Sequence, residues 1–393
     1  MLKPRDEAEV AEIIAATRGP LEPLAGGSKR AIGRPVEGEA LDLGALRGIV
    51  DYEPEELVIT ARAATPLAEV EAALREHRQR LAFEPPDWTA LLGTAGQATL
   101  GGVIAANASG SRRLSVGAAR DHFLGLRAVS GLAERFQAGG RVVKNVTGYD
   151  LPKLLAGSWG TLAVLTEVTL RVHPLPECER TLVMAAREPA QAVRLMGAAL
   201  GSACDVSCAA FAPRLGVALR LEGFAPSVAA RSRALLEALD EALDEAVDEA
   251  IDEAAAEALG PDAGAAEPHW LEEESSRALW HEVGGARALA RYPIVWRVSV
   301  APSDAPRLLE RIAPEDYLLD WGGGLVWIGA ARADPERVRG ALESGHAMLF
   351  KAPREVRSAV PVFEPLPAAL AALTTRVKAA FDPADRLNPG RMS

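Results

Sequence analysis

The chain has 393 residues, of which 49% are hydrophobic and 25% charged, and a net charge of −11 at pH 7. That length can bury two separate cores, and no apolar run approaches the ~18 residues needed to cross a membrane. Ten acids and no base fall within residues 237–257, so the acidity is local, the rest of the chain is near neutral, and no nucleic-acid partner is expected.

Residues 6–18 read as an amphipathic helix, with acids in the first turn and Val10, Ile13, Ile14 and Thr17 on one side. The N-terminus becomes acidic at Asp6 without an apolar stretch, so it does not read as a secretory signal. A short strand is expected at 21–25, followed by the loop Gly26-Gly27-Ser28-Lys29. Residues 48–51 and 57–62 look like paired strands about a Glu53-Pro54-Glu55 turn. Thr65-Pro66 then opens a helix, with Thr65 as the cap and Pro66 in the first turn.

From 87 to 110 the chain is rich in glycine and alanine, which lets backbone approach a neighbour closely. Residues 124–130 form a strand, Gly139-Gly140 a turn, 151–156 a short helix and 162–172 a long strand. Pro174 and Pro176 mark a domain boundary. Beyond it, strands are expected at 215–221, 294–300 and 325–330, the last after the turn Gly322-Gly323-Gly324, and a helix at 334–342 capped by Asp334. The order of elements makes the class α+β.

The repeat Glu-Ala-Leu-Asp that begins at Glu237 favours helix, but its period of four drifts roughly 40° per repeat around a 3.6-residue turn. It therefore reads as an exposed helical insertion over 237–259. Cys178, Cys204 and Cys208 give no disulfide framework and suit a reducing cytoplasm; core or neutral positions fit them better than a metal.

Three segments have the composition of a phosphate cradle. In the first, 24–29, glycines after a strand expose backbone N–H groups that form an anion nest, although Gly-Gly-Ser is also an ordinary loop. The second, 98–110, adds Thr99, Asn107 and Ser109 to Gly101, Gly102 and Gly110, and reads equally as a tightly packed helix of small residues. The third runs from Lys144-Asn145-Val146-Thr147-Gly148-Tyr149-Asp150 to Gly157-Ser158-Trp159-Gly160-Thr161, where Asp150 would cap a helix. No G-x-G-x-x-G stands between a strand and a helix, and no G-x-x-x-x-G-K-[ST] is found, which excludes the usual dinucleotide and P-loop signatures.

These segments, in this order, resemble the FAD-binding domain of the vanillyl-alcohol-oxidase/p-cresol-methylhydroxylase superfamily, and within it the FAD-binding E subunits of three-subunit glycolate oxidases. Residues 98–110 match A-T-I-G-G-x-x-A-x-N-A-x-G, and 115–121 resemble Y-G-x-x-R-D with Val116 for the Tyr. Residues 142–150 match V-V-K-N-V-x-G-Y-D, and 157–167 resemble G-S-x-G-T-L-G-V-L-x-E. The tail, Phe381-Asp382-Pro383 and then Leu387-Asn388-Pro389-Gly390-Arg391-Met392, matches F-D-P…L-N-P-G-R-M.

The resemblance implies a two-part FAD-binding domain at 1–174, an α+β cap with an antiparallel sheet at 175–355, and a segment at 356–393 that returns to the flavin domain. The active site would lie between domain and cap. Gly26, Gly27, Ser28 and Lys29 would line the diphosphate; Thr99, Gly101, Gly102, Asn107, Ser109 and Gly110 the diphosphate, ribityl chain and flavin edge. Gly157, Gly160, Thr161 and Val164 would meet the adenine side, and Asn388 would pack at the flavin domain. Ala25 and Ala163 stand where the family commonly has glycine. No His or Cys suits covalent attachment, so FAD would be held non-covalently.

Relatives carry a metal-binding H-G-H-x-G-D-G-N-x-H; this chain has Trp321-Gly322-Gly323-Gly324-Leu325-Val326-Trp327 at the comparable place. No metal is expected, and His346 is the foremost candidate base, ahead of His77, His122, His173, His269 and His281, with a structural histidine as the plainer reading. Arg120 and Asp121 read either as a structural pair or as flavin contacts. The implied activity is oxidation of a small 2-hydroxy acid such as glycolate, with electrons leaving through flavin to an iron–sulfur subunit. A D-subunit-like flavoprotein would be a second partner, and membrane association would come only through partners. The alternative is a flavin-holding subunit whose substrate chemistry belongs to that D subunit.

Overall fold

Asp6 accepts the Glu9 N–H at 2.9 Å and so starts the first helix, Glu7–Ala16, which buries Val10 and Ile14 and leaves Glu12 exposed. This computed structural model describes residues 1–141, 148–249 and 267–393. The chain divides into two units. The first comprises Met1–Gly110, Val116–Leu175 and Met348–Ser393; the second comprises Ser111–Ser115 and Pro176–Ala347. The return to the first unit thus begins at Met348 rather than at 356, because Leu349 already donates its N–H to Val362 O at 2.8 Å.

In the first unit, Leu21–Leu24 pairs in parallel with Glu39–Asp42. Val10, Ile14, Leu21, Leu41, Val129, Val164 and Leu387 close one core around it. Five strands form a second sheet in the order Ile49–Glu53, Val58–Arg62, Ala163–Arg171, Phe123–Ser130, Arg135–Gly139. All its pairings are antiparallel. The helix after Thr65 spans Leu67–Glu76, but its cap is Pro66. Thr65 Oγ1 instead donates to Arg62 O at 2.6 Å, so the hydroxyl closes the preceding turn rather than the helix.

The second unit is built on a sheet whose first seven strands are ordered His269–Glu272, Cys178–Met184, Gly216–Gly223, Cys208–Ala212, Asp316–Asp320, Leu325–Ala330, Ile294–Ser299. The described pairings among the first seven strands are antiparallel, and Trp296 and Trp327 are wholly buried. Cys204 and Cys208 are both buried, with Cys208 opening a strand.

The acidic repeat does not start a helix of its own. It continues a helix, Ala225–Glu249, that starts twelve residues earlier and buries Val228, Leu235 and Leu239. Leu239 belongs to the repeat, so its first turn is core. Residues 250–259 of the expected insertion, and residues 142–147 of the third cradle segment, lie outside the described residues.

Candidate functional site

The strand Leu21–Leu24 delivers the chain into a loop whose backbone is pinned from behind. Arg30 donates twice to the buried Glu22, at 3.0 and 2.6 Å. Arg391 Nη2 donates to Lys29 O at 3.1 Å. Gln97 N donates to Gly26 O at 2.8 Å, and a Cβ on Gly26 would meet Gln97 O at 1.9 Å, so only glycine permits that approach. Gly27 has φ of +73°, and a Cβ there would point into open space. Among the described residues the N–H groups of Gly27 and Lys29 donate to no protein acceptor, the arrangement of an anion nest.

Opposite this loop, Thr99 caps the helix Leu100–Ala105 by accepting from Gly102 N. Gly101 is locked against Ala63, where a Cβ would come within 2.7 Å of the alanine's own. A third wall comes from Gly160 and Ala163–Leu165, and a fourth from the C-terminal tail through Asn388 and Arg391. Together they enclose a cleft with about 870 Å³ of empty space, including its open mouth. That is within the range of small-molecule and cofactor sites.

The cleft carries positive charge and one orphaned acceptor. Burial pushes the Lys29 ammonium down to about 8, with Asp87 pulling partly the other way; its Nζ lies 6.0 Å from the Trp88 ring centroid. Burial likewise pushes Arg391 down to about 10. Asn388 donates through Nδ2 to Trp159 O at 2.8 Å, but its Oδ1 is buried and has no partner. A buried polar atom left without a partner asks for a ligand group.

Of the residues singled out in the sequence, Gly26, Gly27, Ser28, Lys29, Thr99, Gly101, Gly102, Gly160, Val164 and Asn388 line this cleft. Asn107, Ser109, Gly110, Gly157 and Thr161 are not among its lining residues. Asn107 Oδ1 accepts from Arg120 N at 3.0 Å, and Ser109 Oγ from Ala119 N at 2.9 Å. A Cβ on Gly110 would strike Glu84 O at 2.4 Å. Gly157 N donates to Ile104 O, and Thr161 Oγ1 to Ser158 O at 2.7 Å. Asp121 accepts from Ala118 N at 2.9 Å, while Arg120 is exposed and is not paired with it.

Gln97, Trp159 and Arg391 also reach the cleft and were not singled out as ligands. Arg391 sits three residues beyond Asn388 in the tail motif, a usable signal; Gln97 arrives through a backbone pairing with Gly27 that no local pattern encodes. His346 lies in the second unit, exposed, at the first position of its strand. Among the described residues no helix is long and apolar enough to cross a membrane.

A family model described as an FAD binding domain matches residues 1–139. Glycolate oxidase subunit GlcE of Escherichia coli (strain K12) is 34% identical over 371 residues, covering 93% of this chain and 90% of that protein. The chain belongs to the GlcE family of FAD-linked oxidoreductases. Its cofactor is FAD. Glycolate oxidase subunit GlcD of Bacillus subtilis (strain 168) is 30% identical over 47% of this chain and 38% of its own length. A D-2-hydroxyglutarate dehydrogenase from Xanthomonas citri is 35% identical over 41% of the chain and 32% of its own length. Among solved structures, alkyldihydroxyacetonephosphate synthase superposes with a TM-score of 0.66 at 14% identity, covering 98% of this chain and 76% of that one, which shows the fold.

The cleft fits such a cofactor as this GlcE-family chain presents it. Free N–H groups and a cation suit a diphosphate. Gly27 leaves room for close approach, and Asn388 Oδ1 offers an acceptor for a hydroxyl or amine.

Proposed function

We propose that this chain is the flavin-holding subunit of an oxidase of small 2-hydroxy acids, with glycolate as the substrate, and that its FAD lies non-covalently in the cleft of the first unit. The observation that carries this reading is the joint presence of unsatisfied N–H donors at Gly27 and Lys29 and an unsatisfied acceptor at Asn388 in one cavity. The Gly27 and Lys29 N–H groups and the Lys29 ammonium would hold the diphosphate. The Asn388 Oδ1 would take a hydroxyl or amine from the other end. Thr99, by capping its helix, keeps Gly102 turned to the cavity. When bound, the flavin accepts a hydride from the α-carbon of the hydroxy acid. The names of two relatives, both glycolate oxidase subunits, support a multi-subunit assembly; a GlcD-like flavoprotein would be one partner, and an iron–sulfur subunit would carry the electrons onward.

A second reading, in which substrate chemistry belongs to a GlcD-like partner, is favoured by the exposed position of His346, the candidate base singled out in the sequence. One experiment separates the two. The purified chain should show a flavin band near ~450 nm that acid releases. Anaerobic glycolate bleaches that band if the chain oxidises substrate itself and leaves it unchanged if only the assembled complex does. A chain that takes up no FAD defeats both readings.

A further inference from the structure

The second unit contains an arginine that hydrogen-bonds to none of the described residues. Arg297, on Ile294–Ser299, stands directly across from Trp327 of Leu325–Ala330 in the antiparallel register. Its guanidinium lies 5.7 Å from the Trp327 ring centroid and 5.0 Å from that of Trp321. It makes no hydrogen bond and no ion pair among the described residues. Five N–H donors in fixed geometry are thus left with π-faces and no acceptor.

The surroundings deepen the deficit. Arg113 lies over the same Trp321 ring at 4.6 Å, so two guanidinium groups share one indole. Burial and the charge of Arg113 push Arg297 down to about 10. The nearby carboxylate, Asp320, is already committed. It accepts Ser111 Oγ at 2.7 Å through one oxygen and Trp321 N at 2.7 Å through the other. Trp321 itself stands in a left-handed conformation, φ 54°, at the head of the turn. The residue type gains nothing there, so the strain marks a position that the surroundings impose. Arg297 is crowded by protein yet keeps part of its surface exposed.

We propose that Arg297 is the receiving group of a carboxylate site in the second unit, its planar fork laid on Trp321 and Trp327 and taking a small 2-hydroxy or 2-keto monocarboxylate through two parallel hydrogen bonds. Stacking against indole fixes the guanidinium plane and leaves its N–H edge for the ligand, and a planar two-oxygen anion matches that edge. The choice of a 2-hydroxy or 2-keto acid rests on the function proposed above; the anion site does not.

The test titrates glyoxylate, and separately inorganic phosphate, into the FAD-loaded full chain by calorimetry, with Arg297→Lys and Arg297→Met alongside. Glyoxylate should bind the unsubstituted chain, Arg297→Lys should weaken it about tenfold or more, and Arg297→Met should abolish it, with melting temperature unchanged. If Arg297→Met does not fold, Arg297→Lys alone decides. Undiminished binding in the folded variants, or no glyoxylate binding by the unsubstituted chain, overturns the proposal. Phosphate bound more tightly than glyoxylate in an Arg297-dependent way overturns the carboxylate assignment. The flavin band is recorded in every sample. A chain that holds FAD but not glyoxylate sinks this inference alone, and one that holds glyoxylate through Arg297 without FAD sinks the proposed function alone.

Discussion

Lys29 in the first unit and Arg297 in the second meet the same difficulty, a cation taken out of water with a carboxylate nearby but none in ion-pair contact, and they resolve it in different ways. Lys29 can release its proton, and burial brings it to about 8, so its charge becomes conditional on what enters the cleft. Arg297 is pushed only to about 10 and stays charged at any physiological pH; two indole faces stabilise it instead. A buried lysine can therefore couple ligand binding to protonation, whereas a buried arginine presents a constant charge whose cost the fold carries permanently.

The largest effect tests how fixed the second region's charges are. Burial raises Asp320 from 3.8 to about 6. Its folded pKa lies above its unfolded one, so its contribution to stability is full below pH 4 and is lost as pH rises through 6. Asp320→Asn should remove that slope. The stability difference between the unsubstituted chain and the variant, followed by denaturant unfolding from pH 4 to pH 7, should change by about 2–3 kcal/mol in the variant's favour. A pH-independent difference would show that Asp320 is not held in the burial described.

A middle-sized effect tests the wall that closes the first region. Asn388 is buried, has φ of +44°, and joins the tail to Trp159. Asn388→Ala loses that bond and places alanine in a left-handed conformation, at a cost of about 2 kcal/mol in thermal or denaturant unfolding. A cost near zero would mean that the tail is not anchored there.

The smallest effect sharpens the contrast itself. If the diphosphate restores the proton to Lys29, FAD binding takes up a proton near pH 8, and affinity falls as pH rises. Between pH 7 and pH 9 the dissociation constant should increase about tenfold, and in Lys29→Met this dependence should vanish. Equal pH profiles for the two chains would contradict a conditional charge at this position.

The two regions also differed in how far they could be read from sequence. The first was largely legible, because its cleft is made of backbone. Gly26 and Gly27 are set by steric need, Thr99 by capping and Asn388 by its tail motif, each a local signal. What escaped there, Gln97 and Trp159, reaches the cleft through pairings between distant segments. The second region was legible only as strands and turns. Arg297 and Trp327 are thirty residues apart and meet through strand register, which no periodicity announces. The acidic repeat misled for a related reason. Its composition set it apart, although the helix former run begins at Ala225 and the burial of Leu239 follows from packing rather than pattern.

The claim beneath all of this is that FAD occupies the cleft where Gly27 turns its open side. The direct measurement is titration of FAD into flavin-free chain, followed by absorbance near ~450 nm, for the unsubstituted protein and Gly27→Val. A branched side chain at φ +73° is strained and projects into the cavity, so saturable binding should fall at least roughly a hundredfold in a variant that still unfolds cooperatively. Equal affinity in the two proteins would place the flavin elsewhere and contradict the account.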